Sequence, residues 1–335
     1  MGTGGGRRSL TPLLQTEDLQ VWFPAGRSSL FGPRQWVKAV NGVSFSVRSG
    51  EVLGIVGESG CGKSTLGMAV LNLIRPTAGR ALWLGQDLAT LSREGLRSTR
   101  RDLQVIFQDP LASLDPRMTV GEIIAEPLVT HEPQLGRAEL MQRVQAVMQQ
   151  VGLLPEMLNR YPHEFSGGQA QRIGIARAII LRPRLIVCDE AVSALDVSVQ
   201  AQIINLLKEL QAELGMSLIF ISHNISVVRY IADRIMVMYL GKVMEMAEAD
   251  SLIRHPVHPY TQALMAAVPI PDPAVAHRQQ DNSHLLGSDM PSPLQLPTGC
   301  VFASRCPQAD EACRRTVPPL KALSATQQVA CLKVG

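Results

Sequence analysis

Gly57-Glu58-Ser59-Gly60-Cys61-Gly62-Lys63-Ser64-Thr65 stands between an apolar run, Val52-Leu-Gly-Ile-Val56, and a helical pattern that begins at Lys63. The spacing G-x4-G-K-[ST] in a strand–loop–helix setting is that of a phosphate-binding loop. Glycines let successive backbone N–H groups turn inward around a phosphate, and the following helix presents its positive end to the same anion. Gly57, Ser59, Gly60, Cys61 and Gly62 are thus candidates to line the cradle, with Lys63, Ser64 and Thr65 closing it. Lys63 would face the β- and γ-phosphates and the Ser64 hydroxyl would ligate Mg²⁺, so ATP and Mg²⁺ are the expected ligands.

Outward from this loop the chain alternates strand and helix. Residues 17–60 alternate apolar and polar positions and read as strands, with a tight turn at Ser49-Gly50. A helix is predicted from Lys63 to about Ile74, ended with the help of Pro76. Residues 91–160 carry helical periodicity, residues 173–182 an amphipathic helix, and 185–188 an apolar strand. Helices over 197–214 and 225–231 then alternate with strands over 217–221 and 234–239. That alternation implies an α/β domain with a mostly parallel sheet flanked by helices. From Pro256 the composition shifts to Pro, His, Gln and Cys; residues 271–298 read as a linker.

Three further segments carry chemistry. Leu185-Ile-Val-Cys-Asp189-Glu190 is an apolar strand ending in two acids, of which Asp189 would hold Mg²⁺ and Glu190 would act as general base on the attacking water. Phe165-Ser166-Gly167-Gly168-Gln169 opens a helix near Ala170 and is a second anion-ready helix start. Two phosphate-capable elements around one acidic pair suggest that Ser166–Gln169 serves the nucleotide of another subunit. Gln108 after Val105-Ile-Phe and His223 after Ser222 are, from the residues alone, ordinary polar groups at strand ends.

In this order (Gly57–Thr65, Gln108, Ser166–Gln169, Asp189-Glu190, Ser193–Asp196, Ser222-His223) the segments resemble the ABC ATPase family over about residues 16–270. The resemblance implies an ABC-type P-loop nucleotide-binding domain over 17–255, with an antiparallel β subdomain and a helical subdomain at about 100–175. Before it lies a flexible N-terminus, 1–16. It implies that Gln108 is the Q-loop glutamine, touching Mg²⁺ or water, that Ser193–Asp196 is the loop at the dimer interface, and that His223 contacts the γ-phosphate. An aromatic that stacks on adenine is expected upstream: Phe23 is preferred, with Trp22, Phe31 and Trp36 as alternatives because 24–36 looks like an insertion. Three positions depart from the usual pattern. Ala191 follows the acidic pair where proline is common, Ala170 follows the signature, and Asn224 replaces an acid after His223.

The segment His255–Pro269, together with Ser113-Leu-Asp-Pro-Arg117 and Tyr161-Pro-His-Glu164, resembles the oligopeptide, dipeptide and nickel importer branch of that family, and 256–335 is read as its C-terminal extension. His255 and His258 are read as caps before a helix rather than metal ligands. Six cysteines are present, and Cys300, Cys306, Cys313 and Cys331 cluster near the end. Without an extracellular context this points to a metal or iron–sulfur site rather than disulfides. Four thiolates suit a [4Fe–4S] cluster or tetrahedral zinc; the resemblance favours iron–sulfur. Cys61 and Cys188 read as bystanders to that cluster.

Composition bounds the partners. Net charge is +3 over 335 residues, with 46% hydrophobic and 18% charged residues. The charge is not clustered, so nucleic acid is not an expected partner. No run approaches the roughly 18–20 apolar residues of a membrane-spanning helix. The resemblance therefore implies a peripheral subunit at the cytoplasmic face of the inner membrane. Its partners would be two integral permease subunits, a second, paralogous ABC ATPase and, indirectly, a periplasmic solute-binding protein. Peptide is the leading solute; nickel, glutathione and opine-like solutes are alternatives. A non-transport cytosolic ABC ATPase is the rival class, but the chain shows neither paired nucleotide domains nor a basic face.

Overall fold

Strands that are apolar at every position, rather than at every second one, belong to parallel sheets covered on both faces. Val52–Val56, Leu185–Asp189 and Ser217–Ile221 follow this pattern but for a polar residue at the end of the second and the start of the third, and every residue in them is buried. The computed structural model describes residues 12–27, 34–267 and 291–334. Within these the chain divides into two compact units, one built from Ser46–Glu51 and Leu82–Phe220 with the residues up to Gln15, the other from Thr16–Phe45, Val52–Ala81 and Ile221 onward. Among the described residues no helix is long and apolar enough to cross a membrane.

In the first unit, strand Leu103–Ile106 pairs in parallel with Leu185–Asp189, Leu103 opposite Leu185 and Ile106 opposite Cys188. Strand Ser217–Ile221 flanks Leu185–Asp189 on the other side. Five α-helices of this unit are described, the short Arg93–Thr99 among them. Val120–His131 starts at a Thr119–Glu122 capping box and Gly167–Ile179 at a Ser166–Gln169 box, each satisfying orphan N–H groups at the first turn. Arg137–Gln150 and the long helix Val197–Leu214 complete the set; the latter ends at Gly215, whose φ of +64° suits a residue without Cβ.

In the second unit, Val52–Val56 runs parallel to Arg234–Tyr239, which turns back on Lys242–Glu248 as an antiparallel hairpin. Gln328–Val329 pairs antiparallel with Lys242–Glu248, and Lys321–Ala322 adds outside it. Residues 321–322 and 328–329 are therefore sheet strands of this unit. Strands Arg34–Val47, Leu14–Arg27 and Ala78–Trp83 lie side by side in that order. The first strand begins at Leu14, with Leu13 and Leu14 buried, three residues ahead of the boundary expected at 17.

Elsewhere 197–214, 217–221, 225–231 and 234–239 fall as the sequence pattern predicts. The helix from Lys63 ends at Val70 rather than Ile74, the one predicted at 173–182 spans Gly167–Ile179, and 91–160 contains the strand Leu103–Ile106. Residues 1–11, most of the predicted flexible N-terminus, residues 28–33 of the 24–36 insertion with Phe31, and most of the 271–298 linker lie outside the described residues.

One buried carboxylate ties the C-terminal part together. Glu245, fully buried on the strand Lys242–Glu248, accepts hydrogen bonds from the backbone N–H groups of Val257 (3.0 Å) and His258 (2.9 Å) and from Gln327 Nε2 (2.8 Å). Such donors are what make an interior carboxylate tolerable. His258 then caps the helix Pro259–Ala266, its Nδ1 accepting from the Tyr260 N–H at 3.0 Å. Its ring also hydrogen-bonds the Ala330 backbone, and burial pushes its pKa down from 6.5 to about 4. An unfolded imidazole takes up a proton near pH 6.5 that the folded one refuses until about pH 4. Stability contributed by neutral His258 is therefore complete above pH 6.5 and lost as pH falls toward 4, on the order of 3 kcal/mol. Urea titrations from pH 7 to pH 4 should show this loss, and His258→Gln should flatten the slope by about one proton.

Candidate functional site

Strand Val52–Val56 delivers the loop 57–62, and helix Lys63–Val70 leaves it. Two glycines make the turn feasible. Gly62 has φ +103°, and a Cβ there would lie 1.9 Å from the Ala39 carbonyl oxygen; a Cβ on Gly57 would lie 2.2 Å from the Met238 carbonyl oxygen. Backbone packed this closely leaves the loop's inner face to N–H groups. Lys63 is buried, its Nζ donating to the carbonyls of Gly57 (2.9 Å) and Glu58 (3.0 Å), while Ser59 and Gly60 are exposed. Cys61 occupies its place in the loop by backbone: its N–H donates to Glu58 O (3.3 Å) and its carbonyl accepts from the Gly241 N–H (2.8 Å). Its side chain is buried, which raises the thiol pKa and keeps it protonated.

The acidic pair sits at the end of strand Leu185–Asp189. Asp189 is buried, and Glu190, the next residue, has φ +46°, a left-handed conformation that costs a non-glycine residue of order 1 kcal/mol. Ser193 holds it there: both its N–H (3.0 Å) and its Oγ (2.9 Å) donate to the Glu190 carbonyl. Gln108 Nε2 donates to Glu190 Oε2 at 3.0 Å, so two residues 82 positions apart meet at one carboxylate. Ala191, where proline is common in the pattern, is 2% exposed. The turn is thus pinned by the two Ser193 bonds without a ring to stiffen it. Cys188 lies in the strand, its thiol pushed up to about 12 by burial.

Ser166 caps helix Gly167–Ile179, with Ser166 N–H on Gln169 Oε1 (3.1 Å) and Gln169 N–H on Ser166 Oγ (3.4 Å). Ser166 and Gly167 are exposed. Gly168 has no room for a side chain, since a Cβ would meet Val199 Cγ1 at 2.5 Å. Ala170 is fully buried, which accounts for the absence of a polar residue there. His223 is exposed at the end of strand Ser217–Ile221. Asn224 caps helix Ile225–Ile231, its Oδ1 accepting from Ser226 N–H (3.0 Å) and Val227 N–H (3.4 Å), the work an acid would do in the same place. Of the candidate aromatics, Phe23 (39%) and Trp36 (37%) are exposed, while Lys38 Nζ lies 4.5 Å from the Trp22 ring centroid.

A group that the sequence pattern does not reveal stands behind the phosphate loop. Tyr260 Oη accepts the Glu58 N–H at 3.0 Å, and Arg305 Nη1 donates to both Glu58 carboxylate oxygens at 2.9 and 3.0 Å and to Tyr239 Oη at 3.2 Å. Tyr239, Tyr260 and Phe302 stack around it with ring centroids 4.8–5.3 Å apart. The only local hint was an acid inside an anion-binding loop. Next to this cluster Cys300, Cys306, Cys313 and Cys331 all line one enclosed cavity of about 20 Å³. All four are free thiols. Among the described residues no three of His, Cys, Asp and Glu stand together at metal-ligand spacing.

Residues 40–193 match the family described as ABC transporter, and residues 244–313 match the oligopeptide/dipeptide transporter C-terminal region. The oligopeptide transport ATP-binding protein OppF of Salmonella typhimurium is 54% identical over 324 residues, 96% of each chain. OppF of Haemophilus influenzae is also 54% identical, over 96% of this chain and 97% of its own. A solved dimeric ATP-binding cassette in a post-hydrolysis state, bound to ADP and Pi, matches with a TM-score of 0.64 and 28% identity over 70% of this chain and 98% of its own.

The Asn224 cap makes a direct prediction. Asn224→Ala should lower unfolding stability by about 1 kcal/mol in a urea titration, whereas Asn224→Asp should leave it within a few tenths.

Proposed function

The chain belongs to the ABC transporter family, and we propose from that premise that it is the ATP-hydrolysing subunit of an importer that takes up oligopeptides. The observation that carries this reading is 54% identity to an oligopeptide transport ATP-binding protein along 96% of both chains, spanning the phosphate loop and the C-terminal region alike. Two permease subunits in the inner membrane, a second ATPase of the same family and a solute-binding protein would complete the assembly. This chain would sit peripherally on the cytoplasmic face.

In this reading Gly57–Thr65 cradles the triphosphate of ATP, with Lys63 leaving its loop carbonyls for the β- and γ-phosphates. Ser64, Asp189 and Gln108 would hold Mg²⁺, which supplies positive charge to the phosphate oxygens. Phe23 would stack on adenine. Glu190 takes the proton of the attacking water, and its hydrogen bond to Gln108 gives that carboxylate one defined direction. His223 contacts the γ-phosphate. Ser166–Gln169 offers its helix start to the nucleotide of a second subunit, so ATP gains contacts only in the closed pair, and that difference in affinity permits work. Ser193–Asp196 lies at the same junction.

The four clustered thiols would hold a [4Fe–4S] cluster, with zinc as the alternative. Four cysteine thiols are the donor set such a group takes, although as placed no three of them stand at metal-ligand spacing. Burial and the charge of neighbouring thiolates raise the Cys300 and Cys306 pKa values, a penalty that a cation among them would remove. Such a group would cross-link residues 300–331 where the unit has little core of its own.

Two measurements test these readings. Glu190→Gln in the assembled complex should cut ATP turnover by roughly 10²–10⁴-fold while ATP still binds; turnover at the wild-type rate would remove Glu190 as base. Anaerobically purified protein should contain about four iron and four sulfide per chain. One zinc per chain, or neither metal, would overturn the cluster.

A further inference from the structure

Glu58 is the one acidic residue within Gly57–Thr65, and its position is paradoxical. A carboxylate in a loop that binds a triphosphate repels the ligand unless its charge is cancelled. The cancelling charge comes from 247 positions away. Arg305 Nη1 touches both carboxylate oxygens, and the Arg305 side chain is 3% exposed against 23% for Glu58. The guanidinium is fixed from its own side as well. Its carbon lies 5.6 Å from the Tyr239 ring centroid and 6.0 Å from that of Phe302, and the Arg305 N–H donates to the Phe302 carbonyl at 3.0 Å. One turn earlier the Ala303 N–H donates to the Cys300 carbonyl at 3.0 Å. The backbone of Glu58 is held independently, its N–H by Tyr260 Oη and its carbonyl by Lys63 Nζ. Glu58 thus links the lysine of the phosphate loop to the arginine that lies between Cys300 and Cys306.

We propose that Arg305 is a positioning residue of the nucleotide site: it neutralises Glu58 and holds that carboxylate off the phosphate cradle, so ATP affinity depends on the folded state of the segment from Cys300 to Cys313. The proposal rests on the reading that Gly57–Thr65 binds ATP. A guanidinium is always protonated in a protein, so the charge opposite Glu58 is permanent. Burial raises the Tyr260 phenol, so Tyr260 remains the neutral acceptor of the Glu58 N–H. An ion pair, unlike a neutral residue at 58, makes the loop conditional. Whatever unravels the cysteine segment withdraws Arg305 and leaves an uncompensated negative charge beside the phosphates.

The test is a double-mutant cycle on the full-length chain, read as the Kd of a fluorescent ATP analogue with Mg²⁺ at fixed ionic strength, with thermal unfolding followed in parallel. Arg305→Ala should raise Kd about tenfold in a chain with Glu58, within the range that contacting charged pairs show. It should raise Kd less than twofold when Glu58→Gln is already present. Arg305→Lys should recover most of the affinity. If the alanine variant does not fold, Arg305→Gln, which keeps length and hydrogen bonding but no charge, makes the same comparison. An equal loss in both Glu58 backgrounds would show packing alone, and no loss at all would show no coupling; either result overturns the proposal. Absence of binding by the unmutated chain would instead refute the nucleotide reading.

Discussion

A loop that binds phosphate through backbone N–H groups has to expose its amides inward while its other face packs against neighbours. That second demand is the stricter one here. Ala39 and Met238 press their carbonyl oxygens to within 1.9 and 2.2 Å of where Cβ atoms on Gly62 and Gly57 would be. No side chain fits, so the glycines are set by packing as much as by the ligand. The strand Arg34–Val47 and the hairpin at Tyr239–Lys242 are therefore part of the loop's mould: the Asn41 N–H donates to the Gly241 carbonyl and the Gly241 N–H to the Cys61 carbonyl, at 2.9 and 2.8 Å.

A comparable constraint governs the acidic pair. Its aspartate is the last residue of a fully buried strand, so its direction follows from the sheet. Its glutamate must leave the strand abruptly, and does so through a left-handed residue held by two bonds from Ser193. Strain of this kind persists only where the surroundings over-determine it. Here a serine hydroxyl and amide supply what a following proline supplies elsewhere, which makes Ala191 compatible with an ordered carboxylate. The Gln108 amide then selects one orientation of that carboxylate.

What could be read from the sequence divides along physical lines. Segments 197–214 through 234–239 were legible to the residue because an amphipathic helix pattern and short apolar runs alternate there, set apart by Gly215, Asn224 and Asp233. The strand Leu103–Ile106 was not, being four residues of which two are half-exposed, set in a stretch of helical periodicity. The start of helix Gly167–Ile179 was obscured by two glycines, poor helix formers, of which packing against Val199 demands the second, Gly168. The phosphate-loop and acidic-pair segments could be singled out as candidates because each is a short motif set beside a strongly patterned strand. The Ser193 bonds, the Asn224 cap and the Glu245 knot were not, since each depends on where the backbone turns rather than on spacing.

The C-terminal residues show why distance along the chain hides function. Viewed locally, 299–334 holds one short helix, two two-residue strands and four cysteines, with no periodicity that would assign it a role. Its contacts give it one. Gln328–Val329 joins the strand that carries Glu245; Glu245 orders the entry to helix Pro259–Ala266; that helix places Tyr260 on the Glu58 amide. By another route Arg305, its guanidinium over the Phe302 ring, reaches the Glu58 carboxylate. Two paths from the same terminal segment, in contact through Tyr260 and Phe302, converge on Glu58, one gripping its backbone and the other its charge. A segment that served only to stabilise the unit could have ended its contacts anywhere on that unit's surface; this one ends them on Glu58, inside the loop proposed to cradle the triphosphate.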